Sequence, residues 1–107
     1  MSKLLLKKNI LISGIGKGLG LDMYYKCIDH GAFVYGFTRS RKDVQKINKK
    51  YLRNSKIFIG DCTNENFIKK LFLYFKKKKI ILNILINNAG QRQRKSFLDI
   101  SKKEIYK

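Results

Sequence analysis

Four glycines, Gly14, Gly16, Gly18 and Gly20, stand directly behind the short apolar run Asn9–Ser13. Gly14, Gly18 and Gly20 have G-x-x-x-G-x-G spacing, and each position has a physical reason to lack a side chain. The first allows a sharp turn off a strand, the second lets backbone approach a pyrophosphate, and the third lets the next helix pack close to the sheet. The free N–H groups of that helix, with the positive end of its dipole behind them, would then face the phosphates. A glycine cluster is also an ordinary turn, so spacing must decide what else it could be. The Walker pattern G-x-x-x-x-G-K-S/T fails because Leu19 stands five positions after Gly14 and Leu21 five after Gly16. The spacing G-x-G-x-x-G fails from every glycine of the loop.

The elements that must carry this loop follow from periodicity. Asn9–Ser13 suits a parallel strand covered on both faces. A helix is predicted from about Lys17 to His30, ending at Gly31. Phe33–Phe37 reads as a second strand, and Ser40 with Asp43 resembles a capping box that opens a helix from Arg41 to about Tyr51. Lys56–Gly60 is the third strand, and Thr63 or Asn64 can cap a helix from Glu65 to about Lys77. Its Phe67, Ile68, Leu71, Phe72 and Phe75 recur at helical spacing and read as core. Asn83–Ile86 is the fourth strand. Gln91–Leu98 is loop-like and basic, and Ser101 with Glu104 announces the start of a further helix. The order β-α-β-α-β-α-β predicts one domain over 1–107, an α/β doubly wound parallel sheet, Rossmann-like and incomplete. Ligands of such sheets bind beyond the carboxyl ends of the strands, where the glycine loop falls.

Both motifs of the chain resemble the short-chain dehydrogenase/reductase family. Its first loop is T-G-x-x-x-G-I-G, with Ser13 here in the threonine place and Leu19 in the isoleucine place. Its second signature, N-N-A-G after the fourth strand, is present as Asn87, Asn88, Ala89 and Gly90. The resemblance implies that Ser13, Gly14, Lys17, Gly18, Leu19 and Gly20 hold the pyrophosphate and that Asn88, Ala89 and Gly90 line the cofactor's ribose. The positions after the second strand hold Thr38 and Arg39 and no acid. Arg39 and Lys17 align with the basic residues that bind the 2′-phosphate in NADP-preferring members, which implies NADP over NAD. Asp61 resembles the family aspartate that accepts from the adenine amino group, with the Cys62 backbone beside it. Asp61 could equally be a neighbour of the helix cap. One departure is that Asp22 and Tyr24 stand where members usually carry alanine against the sheet, so the first helix is expected to rotate or sit further out.

The resemblance covers the N-terminal, cofactor-binding part of the family fold. The family's catalytic serine and Tyr-x-x-x-Lys pair lie beyond the segment matched here, so no catalytic residue is assigned. Tyr74 and Lys78 have the literal spacing but precede N-N-A-G on the third helix, away from the strand ends. The function implied is the cofactor-binding part of an NADP(H)-dependent oxidoreductase acting on a small carbonyl or alcohol, inactive alone, with a homo-oligomer expected only of a longer form. The alternative is a non-enzymatic basic module binding nucleotide or nucleic acid. With 25 Lys and Arg against 7 acids, the formal charge is +18. The lysines are scattered over helix faces, as an AT-rich genome would produce, so no specific nucleic-acid partner is expected. Cys27 and Cys62 lack metal spacing, no metal site is expected, and both read as thiols of a reducing compartment. The start has no signal h-region, and no apolar run reaches bilayer length. The expected location is cytoplasmic.

Overall fold

Near-continuous apolar runs in the two central strands bury the middle of a sheet on both faces. The computed structural model describes residues 3–88. Its elements are β1 (Asn9–Ser13), α1 (Gly18–Asp29), β2 (Phe33–Thr38), α2 (Arg41–Gln45), α3 (Lys49–Leu52), β3 (Ser55–Ile59), α4 (Glu65–Lys78) and β4 (Ile84–Ile86). The strands form one parallel sheet in the order β3-β2-β1-β4, with Ile12 opposite both Gly36 and Ile86. The chain therefore builds outward from β1 to β3 and then returns to the other side of β1. This is a doubly wound α/β sheet, and the reversal leaves a crevice at the carboxyl ends of β1 and β4.

Ile10, Ile12 and Val34 point to one face, where they pack with Ile15, Tyr24, Ile28 and Ile47. Leu11, Tyr35 and Phe37 point to the other, against Ile68, Leu71 and Phe75 of α4. This second core is largely aromatic, with Tyr35 and Phe58 meeting Phe75 edge-on. Phe67 and Phe72 flank it and are partly buried. The α4 helix is capped by Asn64, whose side chain accepts the Phe67 N–H at 3.1 Å. It ends in Lys76, Lys77 and Lys78, where cations suit the dipole, before a left-handed Lys79.

Tyr24 is fully buried on α1, and its hydroxyl lies 2.7 Å from Ser55 Oγ at the head of β3. Burial pushes the Tyr24 phenol above its ordinary pKa, with the Ser55 bond acting in the opposite sense. Asp22 faces solvent and pairs with Lys26 at 3.1 Å. Gly31, at φ 99°, turns the chain from α1 into β2 beside Leu6.

The helix expected from Arg41 to Tyr51 is broken in two. Ile47 leaves the helical path to enter the core, and Asn48 starts a new helix by accepting the Lys50 N–H at 3.1 Å. The expected capping box at Ser40 is not formed either. The Ser40 N–H points to Thr38 Oγ1 at 3.4 Å, and the Ser40 side chain makes no cap bond. The remaining boundaries fall within two residues of expectation, and those shifts carry no consequence for the site. The predicted loop at 91–98 and the helix start at Ser101 lie outside the described residues.

Candidate functional site

The crevice is made by β1, whose carboxyl end passes into the glycine loop, and by the segment leaving β4. Gly14 and Gly18 have φ of 68° and 61°, a region costly to any residue with a Cβ. The loop begins tied to β2, because the Gly14 and Ile15 N–H groups donate to the Phe37 carbonyl at 2.9 and 3.2 Å. It then rises to Lys17, the N-cap of α1, which has extended backbone and no side-chain cap bond. A lysine has no acceptor, so no side-chain oxygen at the cap serves the first-turn N–H groups of α1. These donors follow directly on the glycine loop, with the helix dipole behind them.

The loop is held by the segment that follows β4. Ser13 is fully buried, and its Oγ receives the Asn88 N–H at 2.9 Å while lying 3.3 Å from Asn87 Oδ1. Asn88 Nδ2 donates to the Gly14 carbonyl at 3.0 Å. Gly20 completes the contact: a Cβ built there would run into the Gly14 carbonyl oxygen and Asn88 Nδ2. Close packing of α1 on the loop therefore needs glycine at position 20, as the spacing predicted. A Cβ at Gly18 would meet nothing within 4 Å. The loop thus offers open space over backbone donors at Gly18 and a tight seat at Gly20, which fits a pyrophosphate.

Leu19 is exposed beside Lys17 at the start of α1. Thr38 is buried at the end of β2, and Arg39 follows it into solvent. The Arg39 guanidinium lies 4.0 Å from an Asp61 carboxylate oxygen, with 79% of its side chain exposed. The other Asp61 oxygen accepts the Thr63 N–H at 3.0 Å, and the Asp61 carbonyl accepts from Asn64 N. Asp61 therefore supports the turn that opens α4, the local role the sequence had left open beside an adenine contact. Cys62 is buried in the aromatic core, and Cys27 is a half-buried free thiol whose pKa burial pushes up. Ala89 and Gly90 lie outside the described residues.

Tyr74 and Lys78 lie in the last turns of α4. The Tyr74 ring packs edge-on against Phe58 and Phe75, and Lys78 Nζ stands 6.0 Å over it. They belong to the aromatic face.

One residue brought to the loop was not singled out as a site residue in the sequence. Asp43, in the first turn of α2, folds back on Gly16: a Cβ at Gly16 would lie 2.5 Å from Asp43 Oδ2 and 2.6 Å from Thr38 Oγ1. A carboxylate therefore stands beside the phosphate loop and the end of β2, although β2 itself ends without one. Its sequence signal, an acid 23 positions after Gly20, is masked by its place in a capping-box pattern.

The sequence and fold have close counterparts. Residues 8–107 match the family model for short chain dehydrogenase. The chain is 33% identical over 98 residues to the 3-oxoacyl-(acyl-carrier-protein) reductase FabG of Buchnera aphidicola subsp. Schizaphis graminum, covering 92% of this chain and 40% of that protein. It is 30% identical over 86 residues to an uncharacterized oxidoreductase of Saccharomyces cerevisiae, covering 78% of this chain and 34% of the relative. Among solved structures, ElxO with NADPH bound superposes with a TM-score of 0.70 at 27% identity, over 79% of this chain and 36% of that one. A short-chain dehydrogenase from Streptomyces avermitilis shares the fold, with a TM-score of 0.70 at 21% identity, over 78% of this chain and 31% of its own. The chain thus spans less than half the length of these relatives. On its sequence, sheet order and glycine loop together, it belongs to the short-chain dehydrogenase family.

Proposed function

We propose that this chain is the cofactor-binding part of an NADP(H)-dependent oxidoreductase of the cytoplasm, acting on a small carbonyl or alcohol. The observation that carries the reading is the start of α1: a lysine N-cap leaves the helix donors without a side-chain acceptor, directly behind a glycine loop with open space over Gly18. Gly14, Gly18 and Gly20 would seat the pyrophosphate, and Ser13 would keep the seat in shape through Asn88. Lys17 and Arg39 would face the 2′-phosphate, and Thr38 stands at the end of β2 where a carboxylate would otherwise receive a 2′-hydroxyl. ElxO, solved with NADPH bound, supports the same choice. Asn88, Ala89 and Gly90 would border the ribose, and Asp61 with the Cys62 backbone the adenine.

When bound, the nicotinamide supplies or accepts the hydride. Among the described residues no proton donor is assigned for the oxygen that becomes a hydroxyl: the Tyr-x-x-x-Lys spacing of Tyr74 with Lys78 is packed on the aromatic face. The chain as written should bind NADPH and give no turnover. Following NADPH absorbance against a panel of ketones and aldehydes tests this, beside a longer protein extended past Lys107. Turnover by the chain alone that is lost in Tyr74→Phe would refute the assignment, and so would failure of NADPH to bind at all.

A further inference from the structure

We infer that Asp43 is a specificity-determining residue of the nucleotide site, acting against Arg39 and Lys17 and favouring a 2′-hydroxyl over a 2′-phosphate. The inference rests on the dinucleotide reading above and concerns which dinucleotide is held.

Three observations converge on Asp43. Its carboxylate and the Thr38 hydroxyl both border Gly16, so that a single added carbon at Gly16 would strike both side chains. The end of β2 is where the ribose of a dinucleotide lies in doubly wound folds, with an acid there accepting from the 2′-hydroxyl and a cation accommodating the 2′-phosphate. Asp43 is therefore at the right strand end but reaches it from α2, leaving Thr38 at the end of β2. Second, the role its sequence position suggests is not filled, because the Ser40 N–H points to Thr38 Oγ1 instead of the Asp43 carboxylate. Third, among the described residues neither a hydrogen bond nor an ion pair reaches that carboxylate, whereas the carboxylates of Asp22, Asp29 and Asp61 all have partners.

An acceptor without a partner at this point suits a hydroxyl donor and repels a phosphate dianion. Arg39 is largely exposed and lies 4.0 Å from Asp61, so its charge is already shared and screened. The two cations would set a preference for the 2′-phosphate, and Asp43 would hold that preference down. Gly16 belongs to the same arrangement, since a side chain at that position would displace the carboxylate.

The test is the ratio of NADPH to NADH dissociation constants, measured by titration on the chain as written and on Asp43→Asn, with 2′,5′-ADP and 5′-AMP as probes that need no nicotinamide. Asp43→Asn should tighten NADPH and 2′,5′-ADP by about three- to tenfold, the range for a partly exposed charge contact, and leave NADH and 5′-AMP equal or weaker. Asp43→Glu, which keeps the charge, should keep the parental ratio, and thermal melting shows whether each variant is folded. If Asp43→Asn does not fold, Asp43→Ser reads the same loss of charge. Equal changes for both nucleotides, or none, would overturn the inference while leaving the dinucleotide reading intact. Absence of binding by all four probes to the parent chain would overturn both.

Discussion

Replacing Gly20 with alanine sets two opposed effects against each other, and the structure decides the sign. Alanine is favoured over glycine in a helix by up to about 1 kcal/mol, and less in a first turn. Against this, the new Cβ overlaps the Gly14 carbonyl oxygen, a backbone atom that cannot swing aside, and crowds Asn88 Nδ2. Overpacking of this kind costs about 1–3 kcal/mol. Relieving it separates Asn88 from Gly14, losing a 3.0 Å hydrogen bond worth about 1 kcal/mol. The net expectation is destabilisation by about 2 kcal/mol, or a melting point lower by roughly 10 °C for a domain of this size. Moving the loop should also weaken NADPH binding by about tenfold or more, the scale of one lost charge-assisted hydrogen bond. Gly18 is the control, because its φ of 61° forbids a side chain by conformation while the space beside it is empty. Gly18→Ala should cost about 1–2 kcal/mol, and Gly18→Asn less, since asparagine tolerates the left-handed region. Gly20→Asn should rescue nothing. Melting curves and NADPH titrations on the four variants give the answer. A Gly20→Ala protein with parental melting point and affinity would refute the close-approach reasoning.

Other perturbations test separate parts of the description. Arg39→Asp should lower the NADPH-over-NADH preference by about one to two orders of magnitude, and rising salt should shrink the parental preference, with little change in melting because the Asp61 contact is exposed. Because Tyr24 holds its proton more tightly folded than unfolded, its contribution is complete below the ordinary phenol pKa of about 10 and falls as pH rises through the higher folded value. Urea midpoints should therefore drop above about pH 10, and less steeply in Tyr24→Phe, which at neutral pH should lose only about 0.5–1.5 kcal/mol. An equal slope in both proteins would place the effect on Tyr35 or Tyr51, whose pKa values are also raised. Binding to mixed-sequence duplex DNA should be weak and steeply salt-dependent, since scattered lysines neutralise phosphates without reading bases. A sequence-selective complex at physiological salt would contradict that.

The strands and the two long helices were legible because each rests on a local pattern: alternating or continuous apolar runs for β1 to β3, helical spacing of Ile68, Leu71 and Phe75 for α4, and Gly31 as a stop for α1. The break between α2 and α3 was not. Nothing local in Arg41–Tyr51 forbids one helix, and the interruption comes from Ile47 turning into a core that only the assembled sheet provides. The same limit applies at the site. The loop glycines could be assigned individual tasks from spacing alone: Gly14 makes the turn and Gly20 the close packing expected of them, while Gly18 has left-handed backbone with open space beside it. The attachment of Ser13 to the Asn88 backbone, and of Asn88 to Gly14, joins residues that no periodicity connects. Asp43 was hidden for a related reason. Read along the chain it belongs to Ser40, and only the fold of α2 over Gly16 shows its other neighbour.

The bonds from Asn88 to Ser13 and Gly14 span 75 and 74 residues, so the glycine loop takes its shape from the segment leaving the last strand described. During synthesis, β1 and α1 leave the ribosome long before the residues that fix the turn between them. A nucleotide arriving early would find the glycines but not their seat, and could not act as a template for the growing chain. Contacts of such long sequence separation form late, after their loop-closure entropy has been met by the rest of the sheet. Bound nucleotide should therefore protect the Asn88 amide from hydrogen exchange more than amides in the middle of α4, linking occupancy of the site to the closing step of folding.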